Sequence, residues 1–333
     1  MTRRNLFFYE PYAIYRRTGT ALGVASLTAW RWVSAWGVAL LPIAALFGVV
    51  RSSGVVDVDE KFVLVPKNNK PTGKMRRWMY VYLAVDAWTY DLLHIAIYPT
   101  NDQDSAEAFL LALRAKGYQP QVIVTDLRQD YGPVIAQVFP SAVHHECIFH
   151  ALQAAHKHIK DAFGPDAADQ QPAAEQLKQD IDRIFAAETL TLATERYTAV
   201  LARRQAYVQA QPETGAVFDF LEGHWPKLVN SIGSSTIPAT NNTVERVIGR
   251  FDQHYQNFCG FESIADAQRY LAVFEKIYRC TPFSQDAQPS VRGKCPLQLA
   301  GYDISQLPMA TICAGLSVVW PVQPQEAAHV PST

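Results

Sequence analysis

The sequence predicts an α/β fold in which a mixed sheet is flanked by helices, and three observations lead to this prediction. The segment 55–65 is rich in valine and alternates in polarity, which is typical of a strand, and two further strand-like segments follow before residue 99. The β-branched run at 122–124 is short enough for a buried strand, and a segment with helical periodicity follows it. After His150 the chain is rich in alanine, glutamine and charge, which predicts a block of helices.

The first three predicted strands form a meander. A basic, turn-rich loop at 66–77 separates the first strand from the second. The first strand places Asp57 and Asp59 on one face, because side chains alternate along a strand. The three strands are predicted at residues 55–65, 80–86 and 92–98.

Helix and strand alternate in the next part of the chain. A helix at 104–116 leads to a strand that ends at Thr125. Asp126 therefore lies at the C-terminal edge of that strand, where ligands tend to bind in open α/β sheets. The following predicted elements are a helix at 131–139 that Pro140 ends, a brief strand at 142–143 and a helix from Glu146.

The remainder of the chain is predicted to be helical up to an irregular C-terminal tail. A polar turn, SIGSSTIPATNN, separates a block of helices from one later helix that begins TVERVIGRF. The predicted helices are 151–163, 175–187, 191–209, 212–225 and 243–258, and the tail is 281–333.

A helix-turn-helix is predicted near the N-terminus. A short helix precedes a turn at Gly23, and a second helix that starts near Ser26 carries Ser26, Thr28 and Arg31 among apolar residues. The second helix of such a motif enters the major groove, where Arg and Ser/Thr side chains reach bases and phosphates. We therefore expect these three residues to bind DNA; the alternative is a helical hairpin that packs on the next domain.

Charge is distributed unevenly along the chain. Residues 1–80 carry twelve Lys/Arg and four acidic residues, a net charge of 12 − 4 = +8, although the whole chain has a net charge of −1. A basic N-terminal part favours a polyanionic partner, and a solvated basic face is the alternative. Five cysteines without regular spacing indicate a reducing compartment, so we expect a cytoplasmic protein.

One stretch, residues 37–50, is almost wholly apolar, as membrane segments are. Its uninterrupted part is about 14 residues with a central proline, and a spanning helix needs roughly 20 apolar residues. We therefore expect no membrane segment.

The element order, three strands and then helix, strand, helix, strand and helix, is that of a ribonuclease H-like core. In this core the first strand and the fourth strand each supply a carboxylate, here Asp59 and Asp126, and a late helix supplies a third, for which Glu245 is the best candidate. Three converging carboxylates repel one another unless cations neutralise them, and oxygen ligands suit Mg²⁺ or Mn²⁺. Two such ions can support an in-line phosphoryl displacement.

With these residues in place, the chain resembles the DDE transposases of bacterial insertion sequences over roughly residues 20–300. The motifs that carry the resemblance are VDVDEKFV with Asp59, VIVTDLRQDY with Asp126, CIFH with Cys147 and His150, and TNNTVERVIGRF with Glu245. The separation between the second and third carboxylates is 245 − 126 = 119 residues, which matches family members that carry a helical insertion there.

The resemblance implies a function, a cofactor and partners. It implies a DNA transposase that cleaves strands and transfers them with two Mg²⁺ or Mn²⁺ ions held by Asp59, Asp126 and Glu245. The implied partners are double-stranded DNA, both the terminal repeats of the element and the target, and further copies of the chain on that DNA in the nucleoid. The alternative function is a catalytically inactive or shortened relative that binds DNA for regulation.

Several site assignments have competitors in the sequence. Asp57 shares a face with Asp59, and Asp86 is either a turn residue or a neighbour of the metals. Asp130 is interpreted as a residue at a helix start, where a carboxylate is favoured. Cys147 and His150 have a spacing that zinc could use, but packing near the site is the preferred role. Arg246 and Arg250 are candidates for phosphate contacts, with pairing to surface acids as the alternative.

The sequence therefore predicts five segments. They are a helix-turn-helix segment at 1–50, the first part of the catalytic core at 51–150, the helical insertion at 151–235, the last part of the core at 236–280 and the irregular tail at 281–333.

Overall fold

A computed structural model describes residues 19–20, 23–39, 43–65, 78–164, 171–258 and 260–304. The predicted basic loop at 66–77, residues 1–18 and most of the predicted tail lie outside the described residues. The strands are β1 (Val55–Leu64), β2 (Trp78–Asp86), β3 (Leu92–Tyr98), β4 (Val122–Thr125) and β5 (Val143–Glu146). The helices are α1 (Ser26–Ala39), α2 (Ile43–Phe47), α3 (Gln103–Ala115), α4 (Tyr131–Val138), α5 (Ile148–Phe163), α6 (Pro172–Phe185), α7 (Leu190–Leu201), α8 (Arg204–Ala210), α9 (Gly215–Leu228), α10 (Asn242–Phe258), α11 (Ile264–Cys280) and α12 (Pro296–Leu299).

The five strands form one mixed sheet in the order β3-β2-β1-β4-β5. The first three are antiparallel neighbours, as expected for a meander, while β4 runs parallel to β1 and β5 runs parallel to β4. This order, with helices on both faces, is the predicted ribonuclease H-like mixed sheet. Asp57 pairs with Val124, so Asp59 lies level with Asp126, which follows the end of β4.

The two faces of the sheet pack against different helices because side chains alternate along each strand. Val63 belongs to the core that α10 and α11 cover, whereas Val58 belongs to the core formed with α3 and α4. Asp57 and Asp59 share the face of Val63, as predicted, and α10 lies along this part of β1. The strand β1 thus presents Asp57 and Asp59 on the face that α10 covers.

No element is predicted from the sequence over residues 259–280, where the structure has the helix α11. Its signals are nevertheless ordinary: Ser263 caps the first turn by accepting a hydrogen bond from the Asp266 amide, and Ala267, Leu271 and Phe274 recur at helical spacing on its buried face. The region after 280 also contains the short helix α12 within the predicted irregular tail.

Two other element boundaries differ from the prediction. The predicted helix at 191–209 is divided into α7 and α8, and the break allows Arg203 to pair with Asp180 of α6 at 2.6 Å. The brief strand predicted at 142–143 extends to Glu146, because its parallel pairing with β4 continues until Glu146 lies opposite Thr125. The helix predicted from Glu146 therefore begins at Ile148 as α5.

The helix α1, predicted as the second helix of a helix-turn-helix, packs against α11. Ala29 is buried, Thr28 is half-buried, and Ser26 and Arg31 are exposed. A helix-turn-helix is not confirmed, since most residues before Gly23 lie outside the described part of the chain.

Within the described residues, none of the helices combines the length and the apolar character that crossing a membrane requires.

A buried charge cluster fixes α11 to the turn between β2 and β3. Arg279 is 1% exposed and donates to both oxygens of Asp91, from Nε at 2.8 Å and from Nη2 at 2.6 Å. Glu275 accepts a third hydrogen bond from Arg279 at 3.1 Å. Burial alone would lower the pKa of Arg279, but Asp91 and Glu275 outweigh burial and raise it, so the side chain stays charged.

Acid is expected to weaken this cluster through Glu275. Burial alone would raise the pKa of Glu275, but Lys116, Lys276 and Arg279 outweigh it and lower the pKa to about 2. Because this pKa lies below that of the unfolded chain, the charged carboxylate stabilises the fold fully above about pH 5 and loses this effect as the pH falls towards 2. We expect Glu275→Gln to lower the free energy of unfolding by about 2–3 kcal/mol at pH 7 and by much less at pH 3.

Urea unfolding across this pH range measures the effect, with the exposed Glu188→Gln as the matched control. A difference between wild type and Glu275→Gln that stays constant with pH would contradict the assignment.

Candidate active site

Asp59 and Asp126 meet where two parallel strands lie side by side. Asp59 is in the middle of β1, and Asp126 directly follows β4 at the level that the strand register predicts. One carboxylate oxygen from each of Asp59, Glu60 and Asp126 lies within 4.8 Å of the others. Among the described residues, this is the only group of three acidic, histidine or cysteine side chains that could hold one metal ion.

Burial and mutual repulsion make three negative charges unfavourable in this cluster when no cation is bound. Burial raises the pKa of Asp59 well above its ordinary value, and the charges of Glu60, Asp126 and Glu245 raise it further. Burial also raises the pKa of Asp126, which the hydrogen bond from the Arg128 amide at 3.1 Å partly offsets. An oxygen-only set of crowded carboxylates fits a hard divalent cation such as Mg²⁺ or Mn²⁺.

Glu245, the predicted third carboxylate, lies in the first turn of α10. It is close enough to Asp59 to raise the pKa of that carboxyl, but it is outside the 4.8 Å cluster. Its Oε1 lies 3.5 Å from Nε2 of His150, in the first turn of α5. The segment before α10 is fixed to α5 by the hydrogen bond from the Ile148 amide to the Ala239 carbonyl, so α5 and α10 begin side by side.

Glu60 is an acidic neighbour that the sequence prediction did not include. It points to the opposite face of the sheet, where its Oε1 accepts hydrogen bonds from Arg128 and Asn101, both at 2.8 Å. Its Oε2 accepts a hydrogen bond from the Tyr131 hydroxyl at 2.7 Å. Glu60 thus accepts three side-chain hydrogen bonds, whereas Asp59 accepts one from the Glu60 amide at 2.7 Å and a long one from the Asn241 side chain at 3.5 Å. The only signal for this in the sequence is that Glu60 directly follows Asp59.

This difference between neighbours leads to a prediction about metal binding. We expect Asp59→Asn to lower the affinity for Mn²⁺ at least about 100-fold, because site affinity depends strongly on the number of charged ligands. Glu60→Gln should change it less than about tenfold and should instead lower stability by about 1–3 kcal/mol, because Arg128 loses a charged acceptor. Calorimetric titration with Mn²⁺ and urea unfolding separate the two variants, and an equal loss of affinity in both would make Glu60 a ligand.

Asp57 and Asp86, the other candidates considered from the sequence, do not belong to the group of Asp59, Glu60 and Asp126. Asp57 is fully buried beneath the start of α10, where burial raises its pKa and neither carboxylate oxygen has a hydrogen-bond partner among the described residues. Asp86 accepts hydrogen bonds from the Ser52 hydroxyl at 2.7 Å and from the Thr89 amide at 2.9 Å. Asp86 is therefore a turn residue, which was one of its two predicted roles.

Cys147 and His150 lie beside the cluster at the start of α5. Cys147 is buried at the N-terminal cap position, and burial raises the pKa of its thiol. His150 faces Glu245. Among the described residues these two belong to no group of three possible metal ligands. Packing and orientation near the site stays the predicted role.

The predicted DNA-binding residues lie on two helices, α10 and α1. Arg246 is exposed and Arg250 is half-buried, and both follow Glu245 on α10. Asp130, which the sequence analysis interprets as a residue at a helix start, lies at the start of α4 and pairs with Arg128 at 3.2 Å. Ser26, Thr28 and Arg31 lie on α1, which contacts α11 and contributes no residue to the acidic cluster.

Comparisons with known proteins complete the description of the chain. The model of the family described as "Transposase IS66 family" matches residues 8–269. Among solved structures, the Drosophila P element transposase strand transfer complex is similar, with 11% sequence identity, coverage of 82% of this chain and 90% of that chain, and a TM-score of 0.46. No curated protein matches the chain.

Proposed function

The chain belongs to the IS66 family of transposases, and from this premise we propose that it cleaves and transfers DNA strands at the site of Asp59, Asp126 and Glu245. The observation that carries the proposal is the meeting of Asp59 and Asp126, from adjacent parallel strands, within 4.8 Å. A binding function alone gives no reason to bring two half-buried, mutually repelling carboxylates together.

Asp59, Asp126 and Glu245 would hold two Mg²⁺ or Mn²⁺ ions, which supply activation of a water or hydroxyl and stabilisation of the leaving oxygen in an in-line phosphoryl displacement. The side chains themselves have distinct tasks. Asp126 is oriented by the Arg128 amide. Glu245, in the first turn of α10, pairs with His150 of α5 at 3.5 Å and is near enough to Asp59 to raise the pKa of that carboxyl, which supports its assignment as the third carboxylate.

The substrate in this proposal is double-stranded DNA, both the terminal repeats and the target. Arg246 and Arg250 follow Glu245 on the same helix, and in this proposal they contact phosphates of the DNA strand. Ser26, Thr28 and Arg31 on α1 would add contacts away from the site. Assembly of several copies on paired DNA ends, in the cytoplasm and on the nucleoid, belongs to the same proposal.

The test is strand cleavage and joining on duplexes that carry the terminal repeats flanking the gene of this chain. We expect cleavage with Mg²⁺ or Mn²⁺ and none with EDTA. Salt-sensitive DNA binding without metal-dependent cleavage would overturn the proposal and favour the alternative, a regulatory DNA-binding protein.

A further inference from the structure

The helix α9, within the predicted helical insertion, contacts the edge strand β5 through a buried carboxylate. Glu146, the last residue of β5, is fully buried and lies opposite Thr125 of β4. Its Oε1 accepts a hydrogen bond from Nζ of Lys227 at 2.9 Å, and its Oε2 accepts one from Nδ1 of His224 at 2.5 Å. Burial alone would raise the pKa of Glu146, but these hydrogen bonds outweigh burial and lower it, so the carboxylate is charged. Both partners belong to α9.

The rest of β5 is joined to the same end of α9. The Lys227 carbonyl accepts a hydrogen bond from Nδ1 of His145 at 2.9 Å. The side-chain amide of Asn230, just after α9, donates to the His144 carbonyl at 2.9 Å. The last three residues of β5 are therefore all bonded to α9 or to the turn that follows it.

The ring of His144 links this contact to β4. Nε2 of His144 lies 2.9 Å from Oγ1 of Thr125, and the Thr125 hydroxyl donates to the Asp126 carbonyl at 2.7 Å. Because Thr125 has a single hydroxyl proton, Nε2 of His144 supplies the proton of the first hydrogen bond. Burial and the charge of Lys227 lower the pKa of His144 to about 4, so the ring is neutral and its Nδ1 carries no proton.

Lys227 and His144 meet beside Gly132 of α4. A Cβ atom added to Gly132 would lie 3.3 Å from Nζ of Lys227 and 3.8 Å from Nδ1 of His144, so both side chains reach the same point on α4. Nδ1 of His144 is buried and has no hydrogen-bond partner among the described residues. A nearby ammonium group favours the unprotonated form of this nitrogen, which keeps the ring proton on Nε2, towards Thr125.

We propose that Lys227 and His144 are positioning residues for Asp126. Lys227, held by Glu146, keeps the ring of His144 in place, and His144 orients the Thr125 hydroxyl that holds the Asp126 carbonyl. Groups behind a metal ligand orient that ligand, and removing them commonly lowers metal affinity. The inference rests on the proposed function for the metal site at Asp126. It gives the helical insertion a part in building that site, through α9.

The test is calorimetric titration of the full chain with Mn²⁺, together with urea unfolding of each variant. His144→Leu removes the donor to Thr125, and we expect it to lower the Mn²⁺ affinity at least about tenfold. His144→Gln places an amide donor near the position of Nε2, and its affinity should stay within about threefold of wild type. Lys227→Met leaves Glu146 without its ammonium partner and should lower the affinity at least about fivefold.

The matched control is Lys157→Met, which removes a lysine from an exposed pair with Asp161 on α5 and should keep the wild-type affinity. A purely structural contact would lower the free energy of unfolding and leave the Mn²⁺ affinity of the folded variants unchanged, and that result overturns the inference. So does an equal loss of affinity in His144→Leu and His144→Gln, because the hydrogen bond to Thr125 would then not matter. Should His144→Leu fail to fold, the affinity of Lys227→Met decides.

The same measurements separate this inference from the proposed function. Metal-dependent cleavage of DNA with unchanged Mn²⁺ affinity in the His144 and Lys227 variants rejects the positioning role and not the transposase. Mn²⁺ binding that depends on His144 and Lys227, without cleavage of DNA, does the reverse.

Discussion

Asp126→Asn is expected to abolish strand cleavage while DNA binding stays within about threefold of wild type. The substitution keeps the shape of the side chain and its hydrogen bond from the Arg128 amide, and it removes one of the two charges that meet between β1 and β4. Metal ions contribute several kcal/mol of transition-state stabilisation, and each 1.36 kcal/mol is tenfold in rate, so the loss should reach at least about 10³-fold.

The matched control for this experiment is Asp130→Asn, one helical turn farther along the chain. Asp130 pairs with Arg128 and lies outside the acidic cluster, so its variant should retain cleavage within about threefold. Cleavage is measured with Mg²⁺ and again with Mn²⁺, and binding is measured separately in EDTA. If Asp126→Asn lost cleavage and binding together with its folded structure, Asp126 would have a structural role instead.

Asp91→Asn is expected to destabilise the protein by about 3–5 kcal/mol, the largest effect on stability that we predict. Its carboxylate is fully buried and accepts two hydrogen bonds from Arg279, which is 1% exposed. Removing one partner of a buried ion pair leaves the other charge in a medium that solvates it poorly. The free energy of unfolding in urea measures the loss.

Two companion variants make this result specific. Asp219→Asn removes a carboxylate from an exposed pair with Arg204 and should change stability by at most about 1 kcal/mol. The double variant Asp91→Asn with Arg279→Met removes both buried charges, and it should recover part of the stability lost in the single variant. A loss below about 1 kcal/mol in Asp91→Asn would contradict the importance of this pair.

The sheet was predictable from the sequence because strand signals are local. The valine-rich alternation of β1 and the bounded run of β4 identify buried strands, and the order of elements limits how they can pair. Asp126 could be placed at a strand end on the same grounds. The helix α11 shows the limit of this approach, since its apolar residues fit helical spacing and were still not recognised between α10 and the tail.

The candidate site was less predictable, because it depends on contacts between distant parts of the chain. That Glu60 turns away from Asp59 follows from strand alternation, but its partners Arg128 and Asn101 cannot be inferred from spacing. Likewise, the CIFH motif alone does not predict that His150 meets Glu245, because that contact requires α5 and α10 to begin side by side. The site-residue assignments themselves stay predictions that the variants above test.

Because α10 and α11 come late in the chain, they affect how the protein folds during its synthesis. Asp59 and Glu245 are separated by 245 − 59 = 186 residues, so a nascent chain completes the acidic site only after the helical block has been synthesised. Until then, the sheet face that contains Val63, Val81 and Leu83 lacks its two covering helices. Uncovered apolar sheet surface promotes aggregation during synthesis. The unfinished chain is thus exposed to aggregation on this face until α10 and α11 have been synthesised.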